Sequence, residues 1–106
     1  MINSRQKGKA GELDLAAFLR EHGFDEAARG CQFRGGGDSP DVVGIPGFHI
    51  EAKRVEAGSL YAWLDQAIRD SAGTDLVPLV CHRRNRREWV AILTLADFLE
   101  IIRGAR

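Results

Sequence analysis

Residues 39–54 read Ser-Pro-Asp-Val-Val-Gly-Ile-Pro-Gly-Phe-His-Ile-Glu-Ala-Lys-Arg, and their order decides the fold. From Phe48 to Arg54 apolar and polar residues alternate, the period of a strand with one face on a core. Phe48, Ile50 and Ala52 share one face, and His49, Glu51 and Lys53 share the other. The β-branched pair Val42 and Val43 reads as a second strand, with Gly44, Ile45, Pro46 and Gly47 as the turn between the two. A hairpin turning about Pro46 pairs residues whose numbers add to 92, so Asp41 falls opposite Glu51. Directly opposed residues on one face bring their Cβ atoms to about 4.5–5.5 Å. A slip of one residue would turn Asp41 away.

Two carboxylates that close repel each other unless a cation sits between them. A hard divalent metal resolves this, with Mg²⁺ first and Mn²⁺ as a substitute. Such an ion takes oxygen ligands at about 2.0–2.1 Å, which suits Asp41, Glu51 and the backbone carbonyl of Ala52. Lys53, one strand repeat beyond Glu51, would orient an attacking water and stabilise negative charge developing on a phosphate. Metal, water and a cation are the minimum for phosphodiester hydrolysis. By itself Glu-x-Lys is common and fits a solvated strand face equally well, so the rest of the chain has to be weighed.

Upstream, Leu15, Ala16, Phe18 and Leu19 recur at helical spacing and predict a helix over residues 12–22, with Gly23 as its stop. Glu12 lies on the line of the buried stripe. The simpler reading puts it at the helix N-terminus, where the macrodipole favours an acid. Gly35, Gly36, Gly37, Asp38, Ser39 and Pro40 form a loop, because consecutive glycines lose too much entropy inside an element. Downstream, a second helix is expected over residues 60–72, capped by Ser59, closed by Gly73, and carrying Leu60, Leu64, Ala67 and Ile68 on one face. Residues 76–82 read as a buried strand in which Pro78 calls for an edge or a strand start. Strand 88–93 and helix 95–103 complete the order α, β, β, α, β, β, α. That order defines a single α/β domain over residues 1–106, with a central mixed sheet flanked by helices.

The bulk properties bound the function. At 106 residues the chain is one domain, and 44% hydrophobic and 28% charged residues are the composition of a globular protein. Cys31 and Cys81 lack zinc-site spacing, are too few for a disulfide framework, and read as small buried hydrophobes in a reducing compartment. No apolar run approaches the roughly 18 residues of a membrane span, and residues 1–12 lack the core of a signal peptide. A cytoplasmic protein is therefore expected, in a host's cytoplasm if phage-encoded. Net charge is zero, so any affinity for nucleic acid must come from local clusters: Arg5, Lys7 and Lys9 at the start, and Arg83, Arg84, Arg86 and Arg87 later. Arg34, on the glycine loop, is a further candidate for a phosphate contact. His49 and His82 read as half-buried strand residues, and Trp63 and Trp89 as core or interface aromatics.

The motif Ser-Pro-Asp-Val-Val at 39–43 followed by His-Ile-Glu-Ala-Lys at 49–53 resembles the P-D…(D/E)-x-K signature of the PD-(D/E)XK nuclease superfamily. Arg-Gln-Lys-Gly-Lys-Ala-Gly-Glu at 5–12 resembles the opening of archaeal-type Holliday-junction resolvases and related phage nucleases, and the element order is similar to theirs. The resemblance implies a restriction-endonuclease-like fold in which Glu12 joins Asp41 and Glu51 around the metal, Lys53 is catalytic, and Gln66 supports the site from the second helix. It departs at 31–37, where resolvases often place a functional serine and this chain has none.

The expected function is thus a Mg²⁺-dependent, structure-selective DNA endonuclease acting on a four-way (Holliday) junction in recombination and repair. Alternatives are a virus-type nuclease for other branched or single-stranded DNA, and a non-catalytic DNA-binding module of the same fold. Cutting a junction twice needs two active sites, hence a homodimer, for which Leu95, Phe98, Leu99 and Ile102, or Tyr61 and Trp63, offer apolar surface unless the domain's own core takes them.

Overall fold

A computed structural model describes residues 4–30 and 39–104, with the backbone alone for 4–7. Its elements are α1 (Ser4–Glu21), β1 (Ala28–Arg29), β2 (Val42–Val43), β3 (Phe48–Arg54), α2 (Leu60–Ser71), β4 (Val77–Arg83), β5 (Val90–Ile92) and α3 (Leu95–Ile102). The strands form one sheet in chain order, antiparallel except for β3 and β4, which run parallel. A parallel pair needs a crossover, and α2 is that crossover.

The order αββαββα needs one correction: β1 precedes the hairpin, giving αβββαββα. At two residues, β1 is too short to show a period, and only its pairing with β2 defines it. The hairpin register agrees with expectation, since Val42 pairs with Ile50. Pro78 pairs with His49 on β3, while β5 pairs only with Val80, Cys81 and His82. Among the described residues Pro78 thus sits where β4 has no neighbour on its other side, and its missing N–H costs no ladder bond.

Helix α1 begins at Ser4, eight residues earlier than the periodicity suggested. Glu12 is therefore mid-helix and not at a terminus, so the macrodipole does not explain it. Gly11 explains the close seating of this helix: a Cβ there would lie 2.6 Å from the Cβ of Arg54 on β3. The glycine is tolerated inside a helix because the sheet leaves it no room for more.

Alternation along β3 sends its residues into two different layers. Toward α1, Ile50 packs with Leu15, Ala16, Val42 and Cys81. Toward α2, Leu64 and Ala67 pack on Val80. Ser59 caps α2 as expected, its hydroxyl accepting the Ala62 N–H at 3.2 Å. The predicted apolar face of α2 is only partly right, because Leu60 and Ile68 are more than 40% exposed. Helix α3 is capped by Thr94 and buries no residue. Leu95, Phe98, Leu99 and Ile102 all face solvent.

Candidate active site

Strand β3 is seven residues long and β2 only two, so the second half of β3 has an open edge on the β2 side. An open edge leaves backbone groups to be satisfied. Asp41 does this with its side chain: its Oδ2 accepts the Ala52 N–H at 2.9 Å, while its own N–H donates to the Ile50 carbonyl at 2.8 Å. Because a residue's N–H and C=O project from the same edge of a strand, the Ala52 carbonyl also faces Asp41.

A cleft of about 450 Å³ opens at this edge. Gly8 and Glu12 line it from α1, Asp41 from the hairpin, Ala52, Lys53 and Arg54 from β3, and Gln66 from α2. Glu51 does not line it; at 2% exposure it lies within the fold with its carboxyl in hydrogen-bonding reach of Asp41. Lys53 Nζ donates to Gln66 Oε1 at 3.2 Å. The structure thus brings together Glu12, Asp41, Glu51, Ala52, Lys53 and Gln66, residues spread over 55 positions of chain.

The electrostatics are those of a site short of positive charge. Burial pushes the Glu51 carboxyl up to about 9, with the neighbouring carboxyls of Asp41 and Asp70 adding to the shift. Glu12 is also raised, first by burial and then by Asp41, against the pull of Arg29. Arg29 Nε donates to Glu12 Oε1 at 2.7 Å, which holds that carboxylate in place. Three carboxyls and a carbonyl around one edge are the oxygen donors a hard divalent cation takes, so Glu12, Asp41, Glu51 and Ala52 fit such an ion.

Other expectations fared variously. Lys9 and Arg84 are exposed. Arg83 is committed to the fold, donating from Nε to the Arg87 carbonyl at 2.7 Å and from a terminal nitrogen to Asp14 at 3.1 Å. Arg5 and Lys7 fall on α1, their side chains outside the described residues, and Arg34 and Cys31 lie outside them altogether. Cys81 is buried, and burial pushes its thiol up to about 11, which makes it inert. Trp63 is half-buried against the His82 ring at 4.7 Å. His82 is half-buried as expected, but His49 is not: it is 2% exposed, with Nε2 3.4 Å from Glu51 Oε1.

Sequence reasoning missed Arg29 and Asp70, and set His49 aside as a half-buried strand residue. Asp70 was findable, because it stands four residues after Gln66 on α2. Four helical residues rise about 6 Å, close to two strand residues at about 3.3 Å each. Gln66 and Asp70 therefore match Lys53 and Glu51 in spacing along the facing strand.

A mixed α/β sheet with an acidic, lysine-bearing cleft at the open edge of its hairpin is the architecture of a PD-(D/E)XK nuclease. The model of the family described as "Phage putative PDDEXK endonuclease" matches residues 3–105, and the chain belongs to that family. Its function class is accordingly that of a nuclease, and nucleases of this kind use divalent metal ions. No curated protein matches the chain, and no solved structure does. Among the described residues no helix is long and apolar enough to cross a membrane.

Proposed function

We propose that this protein is a Mg²⁺-dependent DNA endonuclease that hydrolyses phosphodiesters in branched DNA, with the four-way junction as preferred substrate and a homodimer as the working form. The observation that carries the reading is the convergence of Glu12, Asp41, Glu51, Lys53 and Gln66 on one edge of β3. A binding module gains nothing from carboxylates aimed at phosphate, so this arrangement favours an enzyme.

Glu12, Asp41, Glu51 and the Ala52 carbonyl would hold the metal, which supplies Lewis-acid polarisation of the scissile phosphate. The chain's own groups do the rest. Ala52 N–H fixes the Asp41 carboxylate, and Arg29 fixes Glu12. Lys53, steadied by Gln66, orients the attacking water and stabilises charge on the phosphate. Lys9 and Arg84, with Arg5, Lys7 and Arg34, would meet the DNA backbone. Arg83 is the weakest member of that set, since its guanidinium is already engaged.

The unburied apolar face of α3 supports the dimer, since a domain that used Leu95, Phe98, Leu99 and Ile102 in its own core would not leave all four in water. A two-fold pair of sites suits two nicks in strands of like polarity. The test is a cleavage panel of labelled four-way junction, flap, duplex and single strand, each with Mg²⁺, with Mn²⁺ and with chelator, beside light scattering. Paired, symmetric, metal-dependent nicks by a dimer are expected on the junction. A monomer making single unpaired nicks would remove the junction-resolving reading and leave a simpler branched-DNA nuclease.

A further inference from the structure

Behind Asp41, on the α2 side of β3, a second group of metal-ligating side chains gathers on Glu51. One ligand atom from each of His49, Glu51 and Asp70 lies within 4.8 Å of the other two. His49 and Glu51 are each 2% exposed. Asp70 Oδ2 is sealed from solvent with no hydrogen-bond partner among the described residues, while the Asp70 carboxyl lies within hydrogen-bonding reach of Glu51. A buried carboxylate oxygen without a donor is costly, and a second carboxyl beside it makes the cost larger. A single proton bridges one pair of these groups, whereas the ligand atoms of all three lie mutually close.

We propose that His49, Glu51 and Asp70 form a second divalent-cation position, with Glu51 shared between it and the cation of the cleft. The spacing suits an ion. The 3.4 Å between His49 Nε2 and Glu51 Oε1 equals the edge of a tetrahedron with bonds of about 2.1 Å, roughly 3.4 Å. The widest separation needs only a small inward movement of Asp70, which sits half-buried near the end of α2. The donor chemistry differs from that of the cleft. An imidazole nitrogen selects Mn²⁺, Co²⁺ or Zn²⁺ over Mg²⁺, while the all-oxygen set of Glu12, Asp41, Glu51 and Ala52 accepts Mg²⁺ and Mn²⁺ alike. The use of this position in cleavage rests on the nuclease reading; its existence as a binding site does not.

Counting ions tests it. The full chain, stripped of metal, is titrated with Mn²⁺ while the free ion is followed by electron paramagnetic resonance. Two Mn²⁺ per wild-type chain are expected, and one Mg²⁺ by calorimetry. Asp70→Asn, isosteric and at a half-buried position, should bind one Mn²⁺ and keep its Mg²⁺. His49→Gln should do the same, and Asp70→Asn carries the result if that more deeply buried change prevents folding. In Asp41→Asn the rear position remains, so Zn²⁺ should still shift the His49 ring resonances. One Mn²⁺ per wild-type chain, or two in Asp70→Asn, overturns the second position and leaves the nuclease reading standing. No bound Mn²⁺ at all overturns both.

Discussion

Ile50 and Glu51 are neighbours in β3 and almost equally sealed from water, at 1% and 2% exposure, yet burial does opposite things to them. Ile50 turns toward α1 and joins Leu15, Ala16, Val42 and Cys81. Taking such a side chain out of water contributes about 1.5–3 kcal/mol. Glu51 turns toward α2, loses the hydration of a carboxylate and meets Asp41 and Asp70, which is why its carboxyl rises to about 9. Both faces of the sheet carry apolar layers, but on β3 itself Ile50 adds to stability and Glu51 subtracts from it. Strongly perturbed groups of this kind cluster at functional sites.

The largest expected effect breaks the polar face alone. Glu51→Gln and Asp41→Asn should each lower the cleavage rate by about 10³-fold or more, as loss of groups that stabilise charge in the transition state does, while thermal stability holds or rises because carboxyl repulsion is relieved. Nuclease assays beside melting curves decide it. An active Glu51→Gln enzyme would end the assignment of this face.

The converse change is Ile50→Ala, one residue away. It should cost about 2–5 kcal/mol in denaturant unfolding, with the remaining folded protein keeping its cleavage rate. If instead activity fell while stability did not, the two faces would not be separable.

Gly11→Ala sits between these extremes, because it touches the apolar layer but moves Glu12. Alanine favours a helix over glycine by about 1 kcal/mol, yet the new Cβ would stand 2.6 Å from that of Arg54. Overpacking of this kind costs about 1–3 kcal/mol, so the clash wins. Reduced stability together with weaker metal binding by calorimetry is expected, and a stabilised Gly11→Ala protein would show that α1 has slack.

The last effect is on pH. Between the ordinary carboxyl value near 4.5 and its folded value of about 9, Glu51 keeps a proton in the folded chain that the unfolded chain releases. The folded state therefore loses stability as pH rises through that window, and Glu12, also raised, acts in the same direction. With chelator present, melting should occur at a higher temperature at pH 5 than at pH 8. Glu51→Gln should flatten the difference, and so should a bound divalent cation.

Much of this could be read before any coordinates, and for specific reasons. Period-two alternation separated His49, Glu51 and Lys53 from Ile50 and Ala52, and the turn at Pro46 set the register that puts Asp41 beside Glu51. Glu12 was legible as inward-facing from its place on the helical stripe. Gln66 came from family resemblance, and its contact with Lys53 spans 13 positions that no local pattern connects. Arg29 was invisible because its partner Glu12 is 17 positions away and its strand has only two residues. His49 read as half-buried because alternation tells which face a residue takes, not how deeply the helix above covers it.

By itself the sequence determined every element but β1, the hairpin register and which acidic and basic groups share a strand face, because each of these follows from interactions within a few residues along the chain. Only the tertiary structure decided that α1 extends back to Ser4 and seats Gly11 on Arg54, that Arg29 holds Glu12, that Asp70 comes up behind Glu51, and that α3 keeps its apolar face in water. Those facts depend on how deeply helices settle on the sheet and which distant side chains then meet, and packing of that kind is set by the whole fold at once.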